Sequence, residues 1–293
     1  MKQPVAKLLI GFFVVAVVLV VAVIIFAFSQ PAPAPFPNPN GYDDFVKAGG
    51  MVTDDSSDYG TMSEEELRAF VKKNAEALKL ARVGLGRECR VPLDYSATNA
   101  THLGDLAALK RLAQTFTVEG RLAEMENRPG DAAESYLGTV RLGHAITGGG
   151  VMIDALVSVA IEALGMEHLE KLTPNLDAKQ CREVASALET AESGREPVET
   201  ILKQEHAWQR RTFGFERPID WLLHFRGEHE VEQRCASKVQ RQQTRTRVLL
   251  IQLAARAYEL EKGERPKGLA DLVPGYLKSI PRDPLTGTNM AYH

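Results

Sequence analysis

An unbroken run of apolar and permissive residues, Leu8 to Phe28, constrains this chain more than any other feature of its sequence. A helix of about 20 such residues spans the hydrocarbon core of a bilayer, so we predict a transmembrane helix over residues 8–28. Lys2 and Lys7 precede the run, and no further charged side chain follows until Asp43. The positive-inside rule therefore places residues 1–7 in the cytoplasm.

This orientation makes the chain a single-pass signal-anchor protein of the inner (plasma) membrane, with its bulk extracytoplasmic and the lipid bilayer as a partner of residues 8–28. A cleaved signal peptide is the alternative, with Ala27-Phe28-Ser29 as the cleavage site. The apolar region of such a peptide is only about 7–15 residues long, which favours the retained anchor.

The segment that follows the apolar run predicts a tether. Five prolines alternate with other residues between Pro31 and Pro39, which favours a stiff polyproline II spacer. Residues 41–61 contain Gly, Asp and Ser with few large apolar side chains, so we expect them to stay loose. We assign residues 29–62 to a Pro-rich, disordered tether and residues 63–293 to an extracytoplasmic helical domain.

Composition restricts the partners of that domain. The chain has 35 Lys and Arg against 38 Asp and Glu, a net charge of −3, and the two lysines before the apolar run lower the remainder to −5. This balance argues against broad electrostatic binding of nucleic acid. The cysteines Cys89, Cys181 and Cys235 are odd in number, and the sequence leaves open whether two of them form a disulfide or all three are buried thiols.

Helix signals recur along the domain. Ser63 followed by Glu66 is a capping box that predicts a helix to about Leu85. Residues 105–127 and 131–146 form the clearest helical hairpin, in which Gly120, Ala132 and Tyr136 match the spacing of a tetratricopeptide (TPR) hairpin. No second copy follows about 34 residues later, so both a helical bundle and a TPR-like solenoid remain open.

The second half of the domain is also predicted to be helical. The predicted segments are an apolar central helix over 151–172, a helix capped by Asp177 over 178–192, a helix opening near Pro197 and a long helix over 230–261. No run alternates β-branched and polar residues as a strand does. The sequence therefore predicts an all-α fold that ends in a short irregular tail.

No catalytic, cofactor-binding or metal-binding residue is assigned from the sequence, and no cofactor is implied. His224, Glu228, His229 and Glu232 lie close together, but the two pairs one turn apart point in different directions on a helix, and no zinc-protease or di-iron spacing is present. Five basic residues form a stripe at helical spacing, namely Arg234, Lys238, Arg241, Arg245 and Arg247. This stripe would contact the acidic face of a partner or lipid phosphates, or it is a helix face exposed to solvent.

Two resemblances accompany these patterns. The tail from Arg256, with Ile280-Pro281-Arg282-Asp283-Pro284, resembles that of major pseudopilins of type II secretion, which implies a structural packing role. Ala16 stands where a pilin has a helix-opening Glu, which excludes pilus assembly.

Over most of the domain, the chain resembles a family of uncharacterised, single-span, membrane-anchored helical proteins of planctomycete-type bacteria. The segments that carry this likeness are Cys89-Arg90-Val91-Pro92-Leu93-Asp94-Tyr95, Arg141-Leu142-Gly143, Ala155-Leu156-Val157 and Ala160-Ile161-Glu162. The resemblance implies an envelope protein and supplies no functional residues.

These features favour a non-enzymatic role, as a protein-interaction or structural component of the cell envelope with one protein partner of unknown identity. The alternative is an extracytoplasmic hydrolase that acts on an envelope polymer, with its residues assembled from several helices. Converging His and carboxylate side chains with perturbed pKa values in a pocket would favour the hydrolase.

Overall fold

The computed structural model describes residues 11–21, 35–53, 59–93, 100–213 and 217–291, of which residues 100, 213 and 217–228 are described in their backbone alone. The chain divides into two compact units, Met1–Pro35 and Phe36–His293. Each unit is described by itself.

In the first unit, residues 11–21 form helix α1. Its apolar side chains are exposed, with 76% of Phe12 and 68% of Phe13 accessible. The rest of the transmembrane helix predicted over 8–28 lies outside the described residues. Within the described part of the chain, no helix combines the length and the apolarity needed to cross a membrane.

The second unit is built from helices, which confirms the predicted all-α class. They are α2 (Gly41–Met51), α3 (Glu64–Lys73), α4 (Ala75–Leu85), α5 (Ala100–Met125), α6 (Pro129–Ala145), α7 (Met152–Leu172), α8 (Ala178–Ser193), α9 (Val198–Phe213) and α10 (Arg217–Lys262), with 3₁₀ turns at Thr173–Asn175 and Leu269–Leu272. No β-strand occurs among the described residues; the β pairing there is an isolated bridge between Arg282 and Asn289.

The predicted helical hairpin is present as α5 and α6. A Cβ on Gly120 of α5 would lie 2.4 Å from the Tyr136 ring of α6, so only glycine lets that ring pack against the α5 backbone. Ala132 and Tyr136 are fully buried. The three residues that match the TPR spacing, Gly120, Ala132 and Tyr136, thus lie in the close contact between α5 and α6.

Helix α7 crosses α6 at short range because both helices have glycines in the contact. A Cβ on Gly143 would lie 2.6 Å from Glu162 Cγ, and one on Gly165 would lie 2.6 Å from the Tyr136 carbonyl oxygen. The close approach brings polar side chains of the two helices together beneath the protein surface.

Two large apolar clusters share α6. One packs α2, α4 and α5 against the C-terminal half of α6, around Phe45, Phe116 and Leu142. The other packs the N-terminal half of α6 against α7, α8, α10 and the tail, around Tyr136 and Leu253. Helix α6 is therefore buried on most of its surface.

Helix α2 corrects the expectation that residues 41–61 stay loose. Asn40 caps it, since its Oδ1 accepts a hydrogen bond from the Tyr42 N–H at 3.2 Å. Tyr42, Phe45 and Ala48 then lie on one buried face against α4 and α5. The prediction was wrong here because a few large residues at helical spacing outweigh a polar average composition. Residues 29–34 and 54–58 of the predicted tether lie outside the described residues.

The helix predicted from Ser63 to Leu85 begins as expected but is interrupted. The capping box is present, with Glu66 N–H donating to Ser63 Oγ at 3.3 Å and Ser63 N–H to Glu66 Oε2 at 2.7 Å. Asn74 then separates α3 from α4. Its side chain accepts a hydrogen bond from the Thr53 N–H at 2.8 Å and donates one to the Phe70 carbonyl at 3.0 Å, so a distant partner fixes the break.

The tail packs as a series of apolar anchors. Gly263, with φ at +75°, ends α10, and Leu269, Leu272 and Leu277 are buried against α8 and α10. A tight turn follows, in which the Gly287 N–H donates to the Asp283 carbonyl at 2.8 Å. The predicted short irregular tail is thus present over the described residues 263–291, apart from one 3₁₀ turn at Leu269–Leu272.

Candidate functional site

A fully buried carboxylate lies where α7 crosses α6. Glu162 has no exposed surface and receives two hydrogen bonds from Arg195, Nη2 to Oε2 at 2.6 Å and Nη1 to Oε1 at 3.1 Å. The Ser158 hydroxyl, one turn earlier on α7, donates to Oε1 at 2.9 Å. This two-pronged geometry is the strongest that a guanidinium and a carboxylate can form.

Two further groups extend this pair into a network. His144 Nε2 of α6 lies 3.2 Å from Glu162 Oε2 and 3.7 Å from Glu192 Oε1 of α8. Arg195 also contacts Glu192 at 2.8 Å, and Arg247 Nε of α10 lies 3.5 Å from the second Glu192 oxygen. Two carboxylates thus face two guanidinium groups, one buried on Arg195 and one partly exposed on Arg247, so the formal charges of these four groups balance.

His144 Nε2 lies between a donor and an acceptor. Arg195 Nη2 is 2.6 Å from it and Glu162 Oε2 is 3.2 Å from it. The first contact uses Nε2 as a hydrogen-bond acceptor, and the second uses it as a donor. The other ring nitrogen, Nδ1, is buried with no hydrogen-bond partner among the described residues.

The network holds Glu162 in its charged form. Burial alone would raise the pKa of this carboxyl group, but the neighbouring His144 and Arg195 outweigh burial and lower the pKa from 4.5 to about 2. In Arg195, burial opposes the charge, yet Glu162 and Glu192 raise the pKa above its usual value. Glu162 is therefore ionised at neutral pH and has no proton to give as a general acid.

A groove of about 630 Å³ opens between α6 and α8, next to this network. On the α6 side it is lined by Arg141, His144 and Ala145, and on one edge by Leu85 of α4. The α8 side is made mostly of small residues, with charged ones toward the start of the helix: Arg182, Glu183, Ser186, Ala187, Thr190, Ala191 and, just after the helix, Gly194.

His144 is the one residue that belongs to both the groove and the network. Glu162, Glu192 and Arg195 lie behind it and do not line the groove. Ser158, the hydroxyl bonded to Glu162, is 1% exposed and out of reach of a substrate. The groove is thus backed by a charged network, and none of its described lining residues is a nucleophile hydrogen-bonded to a side-chain base.

No protein family, curated protein or solved structure was found to match this chain.

The residues considered as metal ligands do not form a described cluster. His229 contacts Gln233 at 3.0 Å, while Glu232 pairs with His206 of α9 at 2.6 Å. The side chains of His224 and Glu228 lie outside the described residues. Among the residues that are described, no three His, Cys, Asp or Glu side chains are placed to hold a metal ion.

The basic stripe of α10 is divided between two environments. Arg245 makes two contacts of 2.7 Å with Glu170 of α7, and Arg247 reaches Glu192 in the buried network. Lys238 and Arg241 are exposed, and Arg234 pairs with Glu230 on its own helix at 3.3 Å. Two of the five stripe residues, Arg245 and Arg247, therefore hold α10 to its neighbours.

All three cysteines are free thiols, and they lie in separate apolar clusters. Burial raises the pKa of Cys89 to about 12 and that of Cys181 to about 11, and it also raises the pKa of Cys235. In the structure the three cysteines are unpaired, with Cys181 and Cys235 buried and Cys89 half-buried.

Sequence reasoning did not single out the network. The usable signal was Glu162 itself, a lone central acid in the most apolar helix, because a carboxylate in such a position requires a buried partner. That partner, Arg195, lies 33 residues away, beyond the end of α8. Helical spacing carries no information about such a contact.

Proposed function

We propose that this protein is a single-pass component of the cell envelope whose helical body binds a segment of another protein in the groove between α6 and α8. The observation that carries the proposal is the groove itself, with a wall of small side chains that lets a peptide backbone approach α8 closely. A groove with an adaptable polar edge is a common way to bind a peptide segment.

The membrane location is part of this proposal. The apolar run over 8–28 has the length of a membrane span, and the side chains of α1 within it are largely exposed, Phe12 and Phe13 most of all. Exposed apolar surface of this extent needs a cover, and a bilayer provides one. Residues 1–7 are cytoplasmic and the unit that begins at Phe36 is extracytoplasmic.

The site chemistry favours binding over hydrolysis of an envelope polymer. A hydrolase needs an accessible general acid or nucleophile, whereas Glu162 and Glu192 are each paired with an arginine behind the groove. His144 reaches the groove, but its Nε2 is engaged by Arg195. The groove thus offers recognition groups without a reactive pair.

Blocking the groove tests the proposal. Ala191→Trp places a large side chain in the groove, and Ala69→Trp places the same side chain on the exposed surface of α3, away from the groove lining. Each variant of the tagged full-length chain is isolated gently from native membranes, its helix content is checked by circular dichroism, and bound proteins are quantified by mass spectrometry.

We expect a stoichiometric partner to be retained by the unaltered chain and by Ala69→Trp and to be lost from folded Ala191→Trp. Equal recovery of partners by the two tryptophan variants would contradict binding in the groove. Absence of any enriched protein from the unaltered chain would contradict the protein-binding role itself.

A further inference from the structure

Helix α7 buries its polar side chains and leaves apolar ones at the surface. The polar residues of its first three turns, Asp154, Ser158 and Glu162, are 0%, 1% and 0% exposed. They are four residues apart and therefore share one side of the helix, which packs against the body. The opposite side carries apolar residues at spacings of three and four, which we call the apolar face: Ile153, Leu156, Ala160 and Leu164.

The apolar face is accessible to solvent. Ile153 is 41% exposed and Ala160 is exposed, whereas Leu156 and Leu164 are half-buried. A helix at the surface of a globular body normally places charged and polar residues on this side. Exposed apolar residues in a contiguous row are typical of a surface that contacts a partner or a membrane.

The basic stripe of α10 runs beside the apolar face. Cys235 of α10 shares an apolar cluster with Ala155 of α7, and Arg245 of the stripe binds Glu170 further along both helices. The stripe thus lies on the flank of α10 that adjoins α7. Leu156 of the apolar face precedes Glu170 by about four helical turns, so the two residues lie on the same side of α7.

Three cations of the stripe face solvent. Lys238 and Arg241 are exposed and form no ion pair in the part of the chain that the structure describes. Arg234 is 76% exposed and its partner Glu230 is 66% exposed, so this surface pair holds the Arg234 charge only weakly. The sequence has no Asp or Glu from Gln233 to Tyr258. An apolar face with a positive border has the pattern of a surface that binds anionic lipids.

We infer that the apolar face of α7 and the basic stripe of α10 rest together on an anionic lipid surface. The apolar side chains enter the headgroup region, and Lys238 and Arg241 lie against lipid phosphates. Because the chain as a whole has a net charge of −3, the rest of the body is repelled by such a surface and the stripe sets the orientation.

This inference rests on the membrane location in the proposed function. Residues 29–40 connect the predicted membrane span to α2, and a chain of that length reaches at most about 40 Å. The body is thereby confined near the bilayer, where weak surface contacts suffice to hold it. The groove for the partner lies between α6 and α8, so the lipid contact does not use its lining residues.

A fluorescent label on the full chain tests the inference. Ile153→Cys carries a nitrobenzoxadiazole label on the apolar face, and Ala69→Cys carries the same label on the exposed surface of α3. The native cysteines react slowly because burial raises their pKa values. Each labelled chain is reconstituted into vesicles of phosphatidylcholine, alone or mixed equally with phosphatidylglycerol, and quenching by a doxyl-labelled lipid is measured.

We expect strong quenching at position 153 in the phosphatidylglycerol vesicles, weaker quenching there in the neutral vesicles, and none at position 69. Lys238→Gln combined with Arg241→Gln should lower the ratio of surface-bound to free body about thirty-fold, since each Lys or Arg at an anionic surface favours binding about five-fold. The matched control, Lys72→Gln combined with Lys79→Gln, also removes two exposed positive charges and should leave the quenching unchanged.

Three results overturn the inference: equal quenching at the two labelled positions, equal quenching in the two kinds of vesicle, or an equal effect of the two double variants. A signal at position 153 that follows the protein-to-lipid ratio instead of the lipid composition also overturns it, and makes the apolar face an interface between copies of the chain.

Flotation of the same vesicles separates this inference from the proposed function. If the full chain does not float with the vesicles, the membrane location fails and the lipid contact fails with it. If the chain floats but position 153 is not quenched, the anchor stands and only the lipid contact of the body fails. Binding of a partner in the groove is tested independently by Ala191→Trp.

Discussion

Glu162 shows how a single buried charge can define a region of the molecule. Its side chain is fully buried at the point where Gly143 allows α6 to approach α7. A buried ion pair adds little net stability compared with an apolar pair, but removal of one partner leaves the other charge without compensation. The consequence of a substitution here is therefore large although the native pair is only modestly stabilising.

We expect Glu162→Gln to lower the free energy of unfolding by about 3–5 kcal/mol, because Arg195 and Arg247 then face Glu192 as their one remaining carboxylate in the network. Glu167→Gln on the same helix is the matched control, since Glu167 forms an exposed pair with Lys171 at 2.6 Å, worth about 0–1 kcal/mol. Urea unfolding of both variants measures the difference. A similar loss of unfolding free energy in the two variants would show that burial does not increase the cost of removing the Glu162 charge.

The same residue predicts a pH dependence. The folded state lowers the Glu162 pKa from 4.5 to about 2, so the unfolded chain binds the proton more readily. This stabilisation is complete above about pH 4.5 and is lost as the pH falls through about 2. Unfolding measured at intervals from pH 7 to pH 2 should show the Glu162→Gln variant losing less stability on acidification than the unaltered chain. Parallel profiles would contradict the assignment.

Helices whose ends are set by neighbouring residues could be predicted from the sequence, and those set by distant contacts could not. The capping box at Ser63 and the helix cap at Asp177 were visible as local patterns, and both are present. The break at Asn74 depends on Thr53, 21 residues earlier, and α2 depends on burial against α4 and α5. The groove was also unpredictable, because it arises where α6 and α8 fail to pack closely, which no residue pattern encodes.

Two glycine-to-alanine substitutions should change the stability of the protein in opposite directions. Gly165→Ala places a Cβ 2.6 Å from the Tyr136 carbonyl oxygen, a backbone atom that cannot yield, so we expect a loss of about 1–3 kcal/mol. Gly104 of α5 is exposed with no described neighbour within 4 Å, and Gly104→Ala should raise stability by about 0.5–1 kcal/mol through helix propensity. Thermal unfolding of the two variants measures the shift in melting temperature. A shift of the same sign in both variants would contradict the prediction.

The two compact units of the chain differ in how they place their large apolar side chains. The unit Phe36–His293 contains both large apolar clusters, the buried network and the groove. The unit Met1–Pro35 contains a continuous set of exposed large apolar side chains on α1. Folding can therefore be tested on the unit Phe36–His293, and the membrane location proposed above can be tested by removing the unit Met1–Pro35.

Deletion of residues 1–35 should leave the unfolding midpoint and helix content of the remaining unit unchanged, since the unit Phe36–His293 is compact and contains its own apolar clusters. The deleted chain should leave the membrane fraction, whereas the full chain should stay with it after an alkaline carbonate wash. Urea unfolding and sedimentation provide the two measurements. A deleted chain that still sediments with membranes would contradict the anchor, and a lowered midpoint would contradict the independence of the folded unit.

The buried thiols have a practical consequence. Burial raises the pKa of Cys89, Cys181 and Cys235, so these thiols carry little thiolate at neutral pH. A cysteine introduced at an exposed position would then react faster with thiol reagents than the three native cysteines. Spin labels, dyes and crosslinkers can therefore be attached beside the groove without first removing the native cysteines.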